Sequence, residues 1–211
     1  MVIKEYFQYI VPYIFITYLF LRIISFKTNL VAKQTYYKLG IMLFSALITF
    51  YPFTGLSLAD YLLSLNPNYS IGSLGLFVML LGNQLSRKPL VATRHLWEFS
   101  LWNVAFSLCL YLSYLGFIAY DMYFLGYTFS AGFLAVAFFT LILIWRHSPL
   151  SYIFISYIAA FNLQLLPSPN FFDYITDGLL FVTSLVMLGY YSINYRQLRL
   201  PSGAAAEGPV K

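Results

Sequence analysis

The stretch YFQYIVPYIFITYLFLRIISF, residues 6–26, decides the fold class of the chain. Arg22 is its only charged residue, and an apolar run of about 20 residues is what an α-helix needs to cross the hydrocarbon core of a bilayer. The run is longer than the apolar region of a secretory signal, which has roughly 7–15 residues, and no small-x-small cleavage site follows it. We therefore predict that it is a retained first transmembrane helix, ended by Arg22 and Lys27.

The composition of the whole chain supports the same interpretation. Of its 211 residues, 61% are hydrophobic and only 9% are charged, whereas a soluble domain carries about 25% charged residues. A lipid bilayer is the solvent in which such a surface is stable. The fold class that we predict is all-α: a polytopic transmembrane helix bundle that forms a single domain over residues 1–200, followed by a mobile polar tail over 201–211.

Similar apolar runs recur along the chain and predict about seven spans. We place them at residues 6–26, 39–54, 70–86, 96–118, 128–145, 150–166 and 175–195.

The second and third runs are short. Pro52 and Gly55 close the second run, and the segment LSLADYLLSLNPN, residues 56–68, has one apolar helical face that is typical of a short interfacial helix. In an alternative threading the second and third runs are a re-entrant pair, and the chain then spans the bilayer five times.

Charge alternates between the loops that separate these runs. The aspartates occupy the outer set of loops in our threading, and all 12 lysines and arginines except Lys4 occupy the other set or its flanks. The positive-inside rule places that second set in the cytoplasm, so we predict an outside N-terminus and a cytoplasmic C-terminus. The short loops and the charge bias are typical of a multi-pass protein of a bacterial inner (plasma) membrane. The basic residues of that set are Arg22, Lys27, Lys33, Lys38, Arg87, Lys88, Arg94, Arg146, Arg196, Arg199 and Lys211.

The outer loops contain a candidate polar site. In PSPNFFDYITDG, residues 167–178, we expect Asp173 to cap the last long helix and Asp177 to lie one turn further on, on the same face. An ionisable residue inside a span is a functional candidate by default, because its charge is costly in lipid. Such a group binds a cation or relays a proton, or it only caps the end of a helix; both interpretations are open. The candidate site comprises Asp177, Asp173, Asp121, Asp60, Asn162 and Gln164.

The inner edge of the predicted bundle holds the remaining notable polar groups. Arg94 and Glu98 are four residues apart and are predicted to form an ion pair. With only two histidines and one cysteine, a transition-metal site would need mostly carboxylates, so we predict no metal site. The single cysteine, Cys109, excludes an internal disulfide, and we expect its thiol to be buried. Amides within spans, such as Asn103, are predicted to join helices by hydrogen bonds.

No catalytic or nucleotide-binding motif is present. The chain contains no G-x-S-x-G, H-E-x-x-H, C-x-x-C or Walker sequence, and we predict no catalytic residue and no cofactor. The basic residues are scattered through short loops, so nucleic acid is not expected as a partner despite the net charge of +5.

These observations favour an accessory or assembly subunit of a larger inner-membrane complex, with the lipid bilayer and a membrane-protein partner or a second copy of the chain as its contacts. A small cation- or proton-coupled transporter or channel with an outward acidic site is the alternative. A membrane-embedded lipid-modifying enzyme is a second alternative, and an enzymatic role ranks below a non-enzymatic one because the outer loops lack a cation to hold a phosphate.

Overall fold

The computed structural model describes residues 7–27, 35–53, 55–86, 88–127 and 131–193. In those ranges the chain is all-α and has no strand, which confirms the all-α part of the predicted fold class. The predicted tail, 201–211, lies outside the described residues. In chain order the α-helices are α1 (Ile10–Lys27), α2 (Thr35–Phe50), α3 (Leu58–Leu65), α4 (Ile71–Leu85), α5 (Thr93–Tyr114), α6 (Ala131–Trp145), α7 (Ser151–Asn162), α8 (Phe172–Ile175) and α9 (Gly178–Ile193), with a short 3₁₀ helix at Tyr123–Gly126 between α5 and α6.

Each of the seven predicted apolar runs overlaps one long helix, and the predicted interfacial segment forms α3. The helix ends differ from the predicted limits for local reasons. Helix α2 ends before Pro52, since the ring of a proline excludes the helical conformation from the preceding residue. Helix α5 ends at Tyr114 because Gly116 adopts a left-handed conformation (φ 80°), and Phe117 N then donates to Leu112 O at 2.9 Å.

Helix α2 runs antiparallel to α1 along most of its length. Near its start, Lys38 Nζ donates to the carbonyl oxygens of Gln84 and Leu85, at the C-terminus of α4, at 3.2 and 2.8 Å. Its last residue, Phe50, stacks on Tyr13 of α1 with ring centroids 6.0 Å apart. The second run therefore passes from one end of the bundle to the other and does not turn back at its starting end.

The bundle core lies around α4 and α7. Helix α4 packs against α1 and α7, α9 packs against α5, and α6 packs against α7. Large side chains that are fully buried at the centre include Phe77, Phe99, Phe154 and Tyr157. Burial of one such side chain stabilises the fold by roughly 1.5–3 kcal/mol.

The outward faces of the long helices are strongly apolar. On α2, Leu39, Leu43 and Leu47 follow one another at four-residue spacing, and Leu43 and Leu47 are 69% and 67% exposed. On α6, Phe138 is 66% exposed. Cys109 on α5 is also exposed, so the expectation of a buried thiol is wrong.

Within the described ranges, no helix is both long enough and apolar enough to cross a membrane.

Candidate functional site

One end of the bundle holds all four aspartates, and we call it the acidic end: Asp60, Asp121, Asp173 and Asp177. Hydrogen bonds across loops tie this end together, including that from Tyr9 of the first segment to Asp60 and that from Asn66 to Asp177. The opposite end, which we call the basic end, carries the described cations Arg22, Lys38, Lys88, Arg94 and Arg146.

Asp177 accepts hydrogen bonds from two helix N-termini at once. Its Oδ2 accepts from Ser70 N at 2.7 Å and from Ser73 Oγ at 2.6 Å, and both donors belong to the first turn of α4 or its cap. Its Oδ1 accepts from Leu180 N at 3.0 Å, in the first turn of α9, and from Asn66 Nδ2 at 3.1 Å. A carboxylate offers about four lone-pair sites, so the hydrogen-bonding capacity of Asp177 is filled by the protein itself.

Asp177 lies opposite the positive ends of two helix dipoles. Aligned peptide dipoles leave about half a positive charge at a helix N-terminus, and the N-termini of α4 and α9 both face Asp177. Among the described residues Asp177 forms no salt bridge. Backbone and side-chain donors therefore surround the carboxylate of Asp177, and no described cation pairs with it.

The close approach of α4 to the residues between α8 and α9 requires a glycine at position 72. A Cβ atom added to Gly72 in α4 would overlap the carbonyl oxygen of Ile175 and crowd a methyl carbon of Leu180. Since Gly72 lies between Ser70 and Ser73, its missing side chain is what lets α4 reach the residues that carry Asp177.

Asp173 belongs to a different group of contacts. It lies in the short helix α8, and Thr176 is extended (φ −138°, ψ 155°), so the helix is broken between Asp173 and Asp177. The expectation that both aspartates lie on one face of the last long helix, with Asp173 as its cap, is therefore wrong. Asp177 caps α9 instead, through Leu180 N.

Asp173 joins two loops. Its Oδ1 accepts from the hydroxyl of Tyr123 in the 3₁₀ helix at 2.7 Å, and its Oδ2 accepts from Ser168 Oγ. Burial, together with the hydrogen bond to Asp173 and its charge, raises the pKa of the Tyr123 phenol. Tyr123 thus remains a protonated donor at neutral pH.

A buried amide supports this joint. Asn170 is fully buried; its Nδ2 donates to Tyr123 O at 3.0 Å, and its Oδ1 accepts from Phe172 N at 2.8 Å. Gly126 lies against the same amide, and a Cβ there would overlap its Oδ1. The loop that precedes α6 and the loop that follows α7 are therefore held together at the acidic end.

Asp60 and Asp121 form local caps. Ser57 Oγ and N donate to Asp60 Oδ2 at 2.6 and 2.8 Å, and Asp60 N donates back to Ser57 Oγ at 3.2 Å, which is a capping box at the start of α3. These bonds, followed by one from Tyr9, lower the pKa of the Asp60 carboxyl. Asp121 is exposed, and its Oδ1 accepts from Tyr123 N at 3.0 Å.

Asn162 and Gln164 line a cavity of about 310 Å³ with Ser168 and Tyr174. Asn162 Nδ2 donates to Ile158 O, one turn back in its own helix, at 2.8 Å. Gln164 adopts a left-handed conformation (φ 49°) that ends α7. No hydrogen bond joins either amide to Asp173 or Asp177 in the described structure, so the six predicted residues separate into several groups of contacts.

A line of small polar side chains runs inward from Thr176 between α5 and α9. Ser107 Oγ lies 2.6 Å from Thr176 Oγ1, and Asn103 Nδ2 donates to Ser184 Oγ at 3.2 Å. This confirms Asn103 as a residue that joins two helices. Its Oδ1 is buried and has no hydrogen-bond partner among the described residues.

Two further predictions concern the basic end and metal ligands. Arg94 Nε lies 2.8 Å from Glu98 Oε1, which confirms the predicted ion pair. No group of three or more histidine, cysteine, aspartate or glutamate side chains is placed to hold a metal ion in the described part of the chain.

Sequence reasoning missed the residues that donate hydrogen bonds to these carboxylates: Ser57, Ser70, Ser73, Tyr123 and Ser168. The pattern S-L-A-D at residues 57–60 is a recognisable capping-box signature. Nothing local indicates that Ser70 and Ser73 contact Asp177, since these residues are separated by 107 and 104 positions.

Comparison of the chain with protein-family models, with curated proteins and with solved structures finds no match.

Proposed function

We infer that the chain is a multi-pass protein of a bacterial inner membrane that acts as an accessory or assembly subunit of a larger complex, with its N-terminus outside and its C-terminus in the cytoplasm. The observation that carries this proposal is the structural role of the aspartates. Each carboxylate accepts hydrogen bonds from within the chain, and Asp177 and Asp173 join segments that are distant in sequence. The acidic end is built as a set of structural joints.

The surface supports the same proposal. The outward stripe of α2, formed by Leu39, Leu43 and Leu47, is exposed and apolar. Exposed apolar patches larger than a few hundred Å² mark surfaces that contact lipid or another protein. The separation of acidic from basic residues at the two ends agrees with the charge bias by which the positive-inside rule orients a multi-pass protein.

Site-directed labelling tests the membrane placement. Starting from a Cys109→Ser background, single cysteines replace Asp121 at the acidic end and Lys88 at the basic end, both of which are exposed. In intact cells a membrane-impermeant maleimide should label position 121 and leave position 88 unlabelled until the membrane is opened. Equal labelling of both positions would refute the proposed threading.

Purification of the tagged chain from its native membrane in a mild detergent tests the assembly role. We expect it to migrate on a native gel with a fixed set of other polypeptides, and to keep them through a high-salt wash. A homogeneous monomer that mediates cation flux in proteoliposomes would contradict the proposal.

Transport is the second candidate, and the line of buried polar groups between α5 and α9 favours it. On this line, inward of Asp177, Asn103 offers a buried oxygen that has no partner in the described part of the chain. If the chain moves a cation or a proton, Asn103→Leu should abolish flux in proteoliposomes while Asp121→Asn, at an exposed local cap, leaves it unchanged. Absence of flux in the unmodified protein would remove this candidate.

A further inference from the structure

Helices α1, α4, α5 and α9 leave a cavity of about 290 Å³ at the basic end. Arg22 of α1 lies in its wall, together with the aromatic side chains of Tyr18 and Tyr191, and Thr93 and Gln84 add a hydroxyl and an amide. The remaining wall is apolar and includes Met187. A cationic group, several hydroxyls and an apolar side thus meet in one concave space.

The charge of Arg22 has no anionic partner in this space. In the described part of the chain Arg22 forms no salt bridge, whereas Arg94 at the same end is paired with Glu98 at 2.8 Å. Arg22 interacts electrostatically with the hydroxyls of Tyr18 and Tyr191. A guanidinium presents its donors in a planar fork that matches two oxygens of a phosphate group.

A second cation lies next to the cavity wall. Lys38 Nζ donates to the carbonyl oxygens of Gln84 and Leu85, which fixes its ammonium group at the end of α4. Thr93, the first residue of α5, follows Ala92, which supplies no side-chain cap, so the first amides of α5 add a positive field on the same side. Asn83 is not available to a ligand, because its side chain bonds Val91 N and O at 2.9 Å.

We propose that this cavity binds the phosphate group of an anionic ligand, with Arg22 as the principal contact, the tyrosine hydroxyls as further donors, and the apolar wall against the carbon chain of the ligand. A phospholipid headgroup and a soluble phosphate ester share this chemistry. The position of the cavity between helices, at the end that carries the cations, matches the place where anionic lipid headgroups bind multi-pass proteins. The site does not depend on the assembly role inferred above, but a lipid headgroup as the source of the phosphate rests on the proposed membrane placement.

Lipid binding to the full-length chain, purified in a neutral detergent, tests the proposal. Phosphatidylglycerol and phosphatidylcholine are added separately, and binding is measured by native mass spectrometry and by the shift in melting temperature. We expect phosphatidylglycerol to bind and to raise the melting temperature, and Arg22→Gln to weaken that binding roughly 10-fold to 100-fold, the range for loss of hydrogen bonds to a charged group. Arg22→Lys should fall between the two, since it keeps the charge and loses the fork.

Lys88→Gln is the matched control, because Lys88 is an exposed cation of the same end that does not line the cavity. If Lys88→Gln weakens binding as much as Arg22→Gln does, the attraction is diffuse and the proposal is overturned. Tyr191→Phe keeps the ring and removes one donor, so it should weaken binding several-fold and provides a second variant if Arg22→Gln does not fold. No loss of binding in both variants would also overturn the proposal.

Competition with free glycerol phosphate identifies the source of the phosphate. Displacement of phosphatidylglycerol by glycerol phosphate at similar concentration indicates a soluble ester, and binding of the lipid without such displacement indicates a headgroup site. Binding of neither probe would refute the site.

Discussion

The acidic end and the basic end of the bundle treat their charges in opposite ways. At the acidic end, the carboxylates of Asp60, Asp173 and Asp177 accept hydrogen bonds from other loops or helices. These carboxylates therefore join separate segments of the chain. At the basic end, Arg94 is paired with Glu98, while Arg22 faces a cavity whose described wall contains no carboxylate. The difference indicates that the carboxylates at one end serve to join parts of the fold, whereas a cation at the other end is left able to receive an anion.

Among the variants that test this comparison, Gly72→Ala should cause the largest loss of stability. The new methyl group would overlap the carbonyl oxygen of Ile175, a backbone atom that cannot move aside cheaply. We expect a loss of more than about 3 kcal/mol in the free energy of unfolding, measured by thermal or denaturant unfolding in detergent. Gly189→Ala is the control, since no atom lies within 4 Å of its added Cβ. Equal stability of the two variants would show that the acidic end is not closely packed.

Asp177→Ala should have the next largest effect. It leaves Ser70 N, Ser73 Oγ, Leu180 N and Asn66 Nδ2 without their acceptor. We expect a destabilisation of about 2–4 kcal/mol, against about 1 kcal/mol for Asp121→Ala, which removes only an exposed local cap. A similar, small loss in both variants would mean that Asp177 is not a joint between helices.

Acidification should weaken the cap of α3. The pKa of Asp60 is lower in the folded chain than its ordinary value of about 3.9. A lowered folded pKa means that the unfolded chain binds the proton first, so the contribution of Asp60 is complete above about pH 5 and is lost as the pH falls through the folded pKa. Melting temperature measured from pH 7 to pH 3 should therefore fall less in Asp60→Asn than in the unmodified chain. Parallel curves would contradict this.

Glu98→Gln should have the smallest effect on stability. The Arg94 side chain is 65% exposed in its pair with Glu98, and exposed ion pairs contribute about 0.2–1 kcal/mol. We expect a change of about 0.5 kcal/mol or less in unfolding experiments. A loss as large as that of Asp177→Ala would mean that the basic end is also held by its charges, and the contrast between the two ends would fail.

Particular elements show how much of the structure can be predicted from the sequence alone. The apolar runs predict where the long helices lie, because helix formation follows the local side chains, and the S-L-A-D pattern contains the cap of α3. The local pattern fails at residues 173–178, where a continuous helix was expected and Thr176 breaks it. Asp177 there caps α9 through Leu180 N and also accepts hydrogen bonds from the N-terminus of α4, a contact that the local sequence does not indicate.

The sequence by itself determined the all-α class, the order of the helices and the separation of acidic from basic loops, since each depends on neighbouring residues and on their spacing. Only the tertiary structure decided which carboxylates accept hydrogen bonds from distant residues and which cation lines a cavity. Those outcomes depend on contacts such as Ser73 with Asp177, across 104 residues, and on the missing side chain of Gly72 that permits them. Hydrogen bonds of this kind are set by how whole helices approach one another, and no short stretch of sequence encodes that approach.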